Sequence, residues 1–334
     1  MDRRKFLKVT GSLAVGGAIL SVAGAGIWKL FRHPDQLFYD SKRSQGIKLL
    51  KEDGTFVSPY RRTFGFVVPE DINAMEVVGG SIYLATPNNI YIYGLSGELQ
   101  TNFSTPSDVR DLAVFDSRIY ALYPTRIEVY NHQGELLQSI EACSQNSDYC
   151  SLAVCPEGIF VTDVANKNIC KYRLDGSMAR FIQSPKGFVV PSYCFAITYM
   201  DGKILCSNPG RHLVETYTPE GEFVASFGKA GAGAGAFSGC CNPAILSPAN
   251  NGELLTSEKG IPRISCYSPN GKFRSILLDS KALGGGHAAY DVRVQKDKLI
   301  VTSGKKVSVY QYDKRVSQTT ACGTCTKDCP LKVD

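Results

Sequence analysis

Apolar positions along most of this chain come in short runs that alternate with turn residues. In "SLAVCPEGIFVTD" (151–163) two such runs flank Pro156, Glu157 and Gly158, which predicts two strands joined by a tight turn. "NICKYRLDG" follows as a third strand that runs into a turn, and "SMARFI" as a fourth, more polar one. The same succession appears earlier as "DLAVFDSRIYAL", "IEVYNHQG" and "ELLQSI".

A marker travels with the unit. Tyr-x-x-x-Gly closes the third strand at Tyr93–Gly97, Tyr130–Gly134, Tyr172–Gly176, Tyr217–Gly221 and Tyr267–Gly271; Tyr310 continues the series with Lys314 in place of the glycine. Successive tyrosines are 37, 42, 45, 50 and 43 residues apart. Repeats of this length with several strands each predict propeller blades. One four-stranded blade cannot bury both of its faces, whereas a ring of blades buries each against a neighbour. Six units are countable, so the expected fold is all-β, a six-bladed β-propeller over residues 53–314. Seven blades is the alternative, because "IKLLKEDG" also reads as a third strand. The last unit, His287 to Tyr312, stops at its third strand; "DGTFVSPY" (53–60) reads as the outer strand that closes the ring and removes its open edge.

Over roughly 55–314 the pattern resembles the NHL-repeat family of six-bladed propellers. "FGKAGAGAGAFSGCCNPAILSP" (227–248) is similar to that family's phenylalanine-glycine linker between blades, with Cys240 and Cys241 where most members carry ordinary residues. This resemblance implies a fold and leaves function open, since propellers host many functions. Some NHL-like propellers resemble metal-dependent lyases with histidine ligands. This chain has four histidines, His33, His132, His212 and His287, and no catalytic residue is assigned.

With 43% hydrophobic and 20% charged residues the chain is expected to fold. Of its net charge of +6, Arg3, Arg4, Lys5 and Lys8 against Asp2 supply half, and no long basic block stands elsewhere. A nucleic-acid partner is therefore not expected. The basic start, "DRRKFLK" (2–8), resembles the twin-arginine export motif, with Asp2 departing from its usual first position. The apolar stretch from Val9 to Ile27 follows it, 19 residues that span roughly 28 Å as a helix. Residues 1–27 thus read as a signal or signal-anchor helix. Ala23-Gly24-Ala25 suits cleavage; Trp28, Lys29 and Arg32 suit a retained membrane anchor. Residues 28–52 would be a tether. The export route implied by the resemblance carries folded proteins, often with a cofactor already inserted. That places the chain on the periplasmic side of the bacterial inner membrane, anchored or soluble.

Twelve cysteines are the remaining oddity. In the tail, 315–334, Cys322-x2-Cys325-x3-Cys329-Pro330 resembles the last three ligands of the bacterial ferredoxin run, whose first cysteine would fall on Thr319. The resemblance implies an iron–sulfur cluster, [4Fe–4S] before [3Fe–4S], with zinc as the other metal the thiols suit. A disulfide plus a free thiol is the non-metal alternative. In the body, aligning the blades sets Cys150 and Cys194 just before their innermost strands, with Cys241 or Asn242 at the same step and Cys240 adjacent; Asn73, Arg110 and Tyr290 are the equivalents elsewhere. That step opens on the central channel, so Cys150, Cys194, Cys240 and Cys241 are candidate metal ligands at one rim. Packing and a Cys240–Cys241 disulfide are the competing readings. Cys155, Cys170, Cys206 and Cys266 lie within strand patterns and read as core, and Cys143 sits in a polar loop where a bond to Cys150 is conceivable. "SEKGIPR" (257–263) reads first as a solvated charged turn, with Glu258, Lys259 or Arg263 as candidates for the channel face; His287 is a weaker candidate there. The functional expectation is an electron-transfer or redox accessory subunit with a redox or scaffold protein partner at the membrane. A ligand- or protein-binding propeller with structural zinc or disulfides is the alternative.

Overall fold

Paired apolar runs form antiparallel hairpins, and two hairpins make each sheet. The computed structural model of this protein describes residues 58–313, and in them six four-stranded sheets follow one another. Blades I to V are sequential, at 74–104, 111–141, 149–182, 197–227 and 245–278. Blade VI combines Asp291–Gln295, Lys298–Ser303 and Lys306–Tyr312 with an outer strand from the other end of the chain, Tyr60–Val67. The fold is a six-bladed β-propeller, with no seventh sheet among the described residues. The expected signal helix (1–27), the tether (28–52) and the tail with Cys322, Cys325 and Cys329 lie outside those residues.

The closing strand comes later than 53–60 and shares only Tyr60 with that segment. Its register runs from Tyr60 against Tyr312 to Val67 against Lys306, with a bulge between Arg62 and Phe64. This register puts the Phe66 ring 4.8 Å from that of Tyr93 in blade I and 6.1 Å from that of Phe64. At the strand's other end Asp313 N–H donates to the Pro59 carbonyl at 2.8 Å. Tyr60 and Tyr312 sit at the blade edge that holds the Gln295–Lys298 turn; Asp291, paired with Thr302, is at the other edge.

The Tyr-x-x-x-Gly repeat has a physical basis. Each tyrosine is buried at the end of its third strand. The glycine closes the following turn, as where Gly134 N–H donates to Asn131 O at 3.1 Å and Gly271 N–H to Ser268 O at 2.8 Å. All five glycines are left-handed, with φ between 76° and 91°, the region that excludes most side chains. They also face the preceding blade. A Cβ on Gly134 would stand 2.5 Å from Phe103 of blade I, and one on Gly271 2.3 Å from Phe227 of blade IV. The turn therefore both reverses the chain and seats one blade flush against the last.

Blades share cores rather than owning them. Tyr120, Ile127 and Ile140 of blade II pack with Leu152, Ile159, Cys170 and Tyr172 of blade III. Cys155 and Cys206 lie in the III–IV cluster and Cys266 in the V–VI cluster, in keeping with their reading as core. Polar links join the inner strands around the channel. Asp111 Oδ2 accepts from Leu152 N–H at 2.8 Å and Ser151 Oγ at 2.7 Å, Ser151 Oγ accepts from Ile197 N–H at 3.3 Å, and Asp291 Oδ2 accepts from Met75 N–H at 3.0 Å. Asp111, Ser151 and Asp291 occupy the same step of their blades. Each satisfies a buried backbone donor that would otherwise be costly.

Candidate thiol site at the channel mouth

The inner strands enclose a cavity of about 490 Å³ along the propeller axis. Its charged lining balances: Glu76, Asp111 and Asp291 against Arg110, Lys259 and Arg293. Arg293 bridges Glu76 at 3.3 Å and also pairs with Asp291. Burial works against its charge, but Asp291, Glu76 and Asp111 outweigh that and raise its pKa. Arg110 pairs with Asp148 and donates to the Tyr149 carbonyl at 2.7 Å.

Cys150 and Cys194 both line this cavity. Cys150 is the extra residue of a bulge between Tyr149 and Ser151. Counted from the hairpin turns the two blades are out of step by one, because Gly158 pairs with Cys155 whereas Gly202 lies within the turn between Met200 and Lys203; Phe195 therefore matches Cys150, and Cys194 lies one residue earlier. The Cys150 thiol donates to the Tyr193 carbonyl at 3.1 Å, and burial pushes its pKa up to about 12.

Cys240 and Cys241 lie on the linker between blades IV and V, with Cys240 exposed and their sulfurs 3.5 Å apart. The hydroxyl of Ser192, 3.4 Å from the Cys240 sulfur, holds that thiol's pKa down, with help from Cys241. Burial pushes the Cys241 thiol up instead. Lys259 stands beside Cys194 and Cys241: burial works to discharge its ammonium, and the two thiols more than offset this. Asn242 fixes that lysine's backbone. Its buried amide donates to Lys259 O at 2.8 Å and to Ser238 O at 2.7 Å, and accepts from Lys259 N–H at 2.8 Å.

Of the rim residues singled out in the sequence, Cys240 and Cys241 therefore meet directly, Cys194 joins them around Lys259, and Cys150 sits in the channel wall. His287 is exposed, only its carbonyl engaged, by Gly260 N–H at 3.1 Å. No histidine among the described residues lines the cavity. The "SEKGIPR" turn is not a solvated one. Glu258 and Arg263 are 0% and 1% exposed and form an ion pair at 2.6 Å. Arg263 faces inward because the glycine-rich linker presents carbonyls to it: Ala232 and Gly233 accept at 3.1 Å, and Ala236 also accepts. Only Lys259 of the three charged candidates reaches the channel.

The sequence reading missed Asp111. Its recurrence with Asp291 at one step of the repeat was the available signal. Desolvation raises its carboxyl pKa from 3.8 to about 6 against the pull of Ser151, the Leu152 and Leu112 N–H groups and Arg293. Between those two pH values the folded state holds the proton more tightly than the unfolded chain. The contribution thus favours folding at low pH and is lost as pH rises through about 6. Urea unfolding from pH 4 to 7 should show that slope, and Asp111→Asn should flatten it; equal slopes would refute the assignment.

No family profile and no curated protein sequence matches this chain. Solved structures do. Virginiamycin B lyase from Staphylococcus aureus superposes with a TM-score of 0.53 at 12% identity, over 75% of this chain and 99% of that one. A streptogramin B lyase gives 0.53 at 14% identity, over 75% and 97%. The WD40 β-propeller domain of Doa1 gives 0.52 at 10%, over 77% and 98%. At such identities the likeness shows the propeller fold alone.

Proposed function

We propose that this chain is an exported, membrane-associated propeller that carries a cysteine-ligated metal centre, an iron–sulfur cluster before zinc, and acts as a redox accessory subunit to a protein partner at the membrane. The observation that carries this reading is the gathering of thiols at one mouth: Cys240 and Cys241 in contact, with Cys194 and the Lys259 ammonium beside them. Cys240 and Cys241 are spaced as two ligands of a soft metal would be. Two thiolates on one tetrahedral ion with bonds of about 2.3 Å lie about 3.8 Å apart, close to the 3.5 Å between these sulfurs. Cys240, whose thiol is held toward the thiolate by Ser192, would be the first ligand. Lys259 would offset the negative charge of the thiolates, and Asn242 would keep it there. Cys194 and Cys150, neither of which lies within 4.8 Å of both sulfurs of this pair, would have to close on it to complete a set of four. Cys322, Cys325 and Cys329 would form a second set. A bound cluster would supply one-electron chemistry.

Anaerobic purification of the full chain from cytoplasm tests this. Iron, sulfide and absorbance near ~400 nm are expected, reduced in the Cys240→Ser/Cys241→Ser variant. A folded, colourless protein without metal would overturn the proposal. Zinc without sulfide would favour a binding propeller, a reading supported by the 490 Å³ channel with its paired charges.

A further inference from the structure

Away from the channel, a second pair of sulfurs stands in contact. Cys143 follows the outer strand of blade II, Leu136–Glu141, and Cys170 lies within the third strand of blade III, Asn168–Tyr172. Their sulfurs are 3.2 Å apart although 27 residues separate them. The bond considered between Cys143 and Cys150 has no such support, since the Cys150 thiol is turned to Tyr193. We propose that Cys143 and Cys170 are a dithiol–disulfide couple that staples blade II to blade III, oxidised by exchange with the disulfide of a thiol–disulfide oxidant.

The surroundings favour that chemistry. A disulfide bond is about 2.05 Å long, so closure needs an approach of roughly 1.2 Å. Tyr149 holds Cys143 in place, its hydroxyl accepting from Cys143 N–H at 3.1 Å and lying 3.6 Å from the sulfur. Cys143 is half-buried and open to an outside reagent, whereas Cys170 is fully buried. Asp163 brings a carboxylate within 4.8 Å of both sulfurs, which invites comparison with a metal site. Its oxygens are already engaged, however, by Asp148 N–H at 3.2 Å and by the Asn166 N–H and side-chain amide at 3.1 and 2.8 Å. Two thiols remain, and two thiols make a disulfide.

The step balances as follows. Cys143 loses its proton and attacks one sulfur of the oxidant's disulfide; the other oxidant sulfur leaves and takes up a proton. Cys170, deprotonated in turn, attacks the Cys143 sulfur of the mixed disulfide and expels the second oxidant thiol. Two electrons and two protons pass to the oxidant, which leaves as a dithiol. Burial raises the Cys170 thiol's pKa, so Cys143 is the thiol that meets the oxidant and Cys170 the one that resolves.

The full chain, incubated in glutathione buffers from reducing to oxidising, alkylated and digested with trypsin, gives the test. Cleavage after Lys167 and Lys171 isolates Cys170 in the fragment 168–171. In oxidising buffer that fragment should be disulfide-linked to 127–167, which also holds Cys150 and Cys155. The link should survive in Cys150→Ser and Cys155→Ala and vanish in Cys143→Ser. Oxidation should raise Tm by about 5–10 °C, as expected for a loop of this size, and should leave the Tm of Cys143→Ser unchanged. Free, alkylated Cys143 and Cys170 in folded protein at the most oxidising potential would overturn the proposal. So would a Cys143–Cys150 link, or protection of both thiols by added Zn(II) without oxidant.

Discussion

Replacing Arg263 with alanine should lower the free energy of unfolding by about 3–5 kcal/mol, the usual result of removing one partner from a buried ion pair. Glu258 and Arg263 are both shut off from water. Desolvation raises the Glu258 carboxyl pKa, and Arg263, with help from Ser265, draws it back. Without the guanidinium the carboxylate is left with Ser265 Oγ at 3.0 Å. The carbonyls of Ala232 and Ala236 lose the guanidinium donor at the same time, and that of Gly233 is left with Ala236 N–H at 3.2 Å. These carbonyls belong to the linker that carries Cys240 and Cys241, so the variant should also weaken any metal held there. Converting both partners to apolar residues, Arg263→Met with Glu258→Leu, should recover much of the loss, because no uncompensated charge remains. Urea denaturation of the two variants decides the matter. A single variant within 1 kcal/mol of wild type would mean that the pair is not part of the framework.

Gly271→Val is the second large effect, about 2–5 kcal/mol. Two penalties combine. A left-handed backbone at φ 76° strains any branched residue, and the new Cβ would stand 2.3 Å from Phe227, forcing the blades apart. Gly79→Val separates the terms. It carries the strain alone, since its φ is 61° and no atom lies within 4 Å of the added Cβ. The difference between the two variants in thermal unfolding measures the inter-blade contact. Equal losses would show that Phe227 simply moves aside.

These two variants also mark what was legible in the sequence. The Tyr-x-x-x-Gly spacing foretold six blades because each glycine answers a local need, a left-handed turn, and so leaves a trace in five units, with Tyr310 marking the sixth. Ring closure was foreseen, but its strand was set too early, since Tyr60–Val67 is recognised only by the rings it lays on blade I. Glu258 and Arg263 looked like a solvated turn because the groups that draw Arg263 inward are backbone carbonyls on a distant linker, and a carbonyl has no letter. Repeat register brought Cys150 and Cys194 to the channel to within one residue; the glycine that marks each turn is paired at Gly158 but unpaired at Gly202, and this accounts for the error. The contact between Cys143 and Cys170 crosses two blades and left no local signal at all.

One feature of the ring bears on how the protein can be handled. Tyr60 and Tyr312 are paired neighbours, and they lie at the rim away from Asp291. The described residues therefore begin and end at the underside, at Ser58 and Asp313, beneath the sixth sheet. A surface or a fluorophore coupled at this rim, through a residue introduced at the exposed Arg61 for example, starts from the side away from Cys240 and Cys241. Immobilised this way, the molecule would offer its sulfur-lined opening to the bulk solution, where chelators, electrodes and candidate partners can be applied.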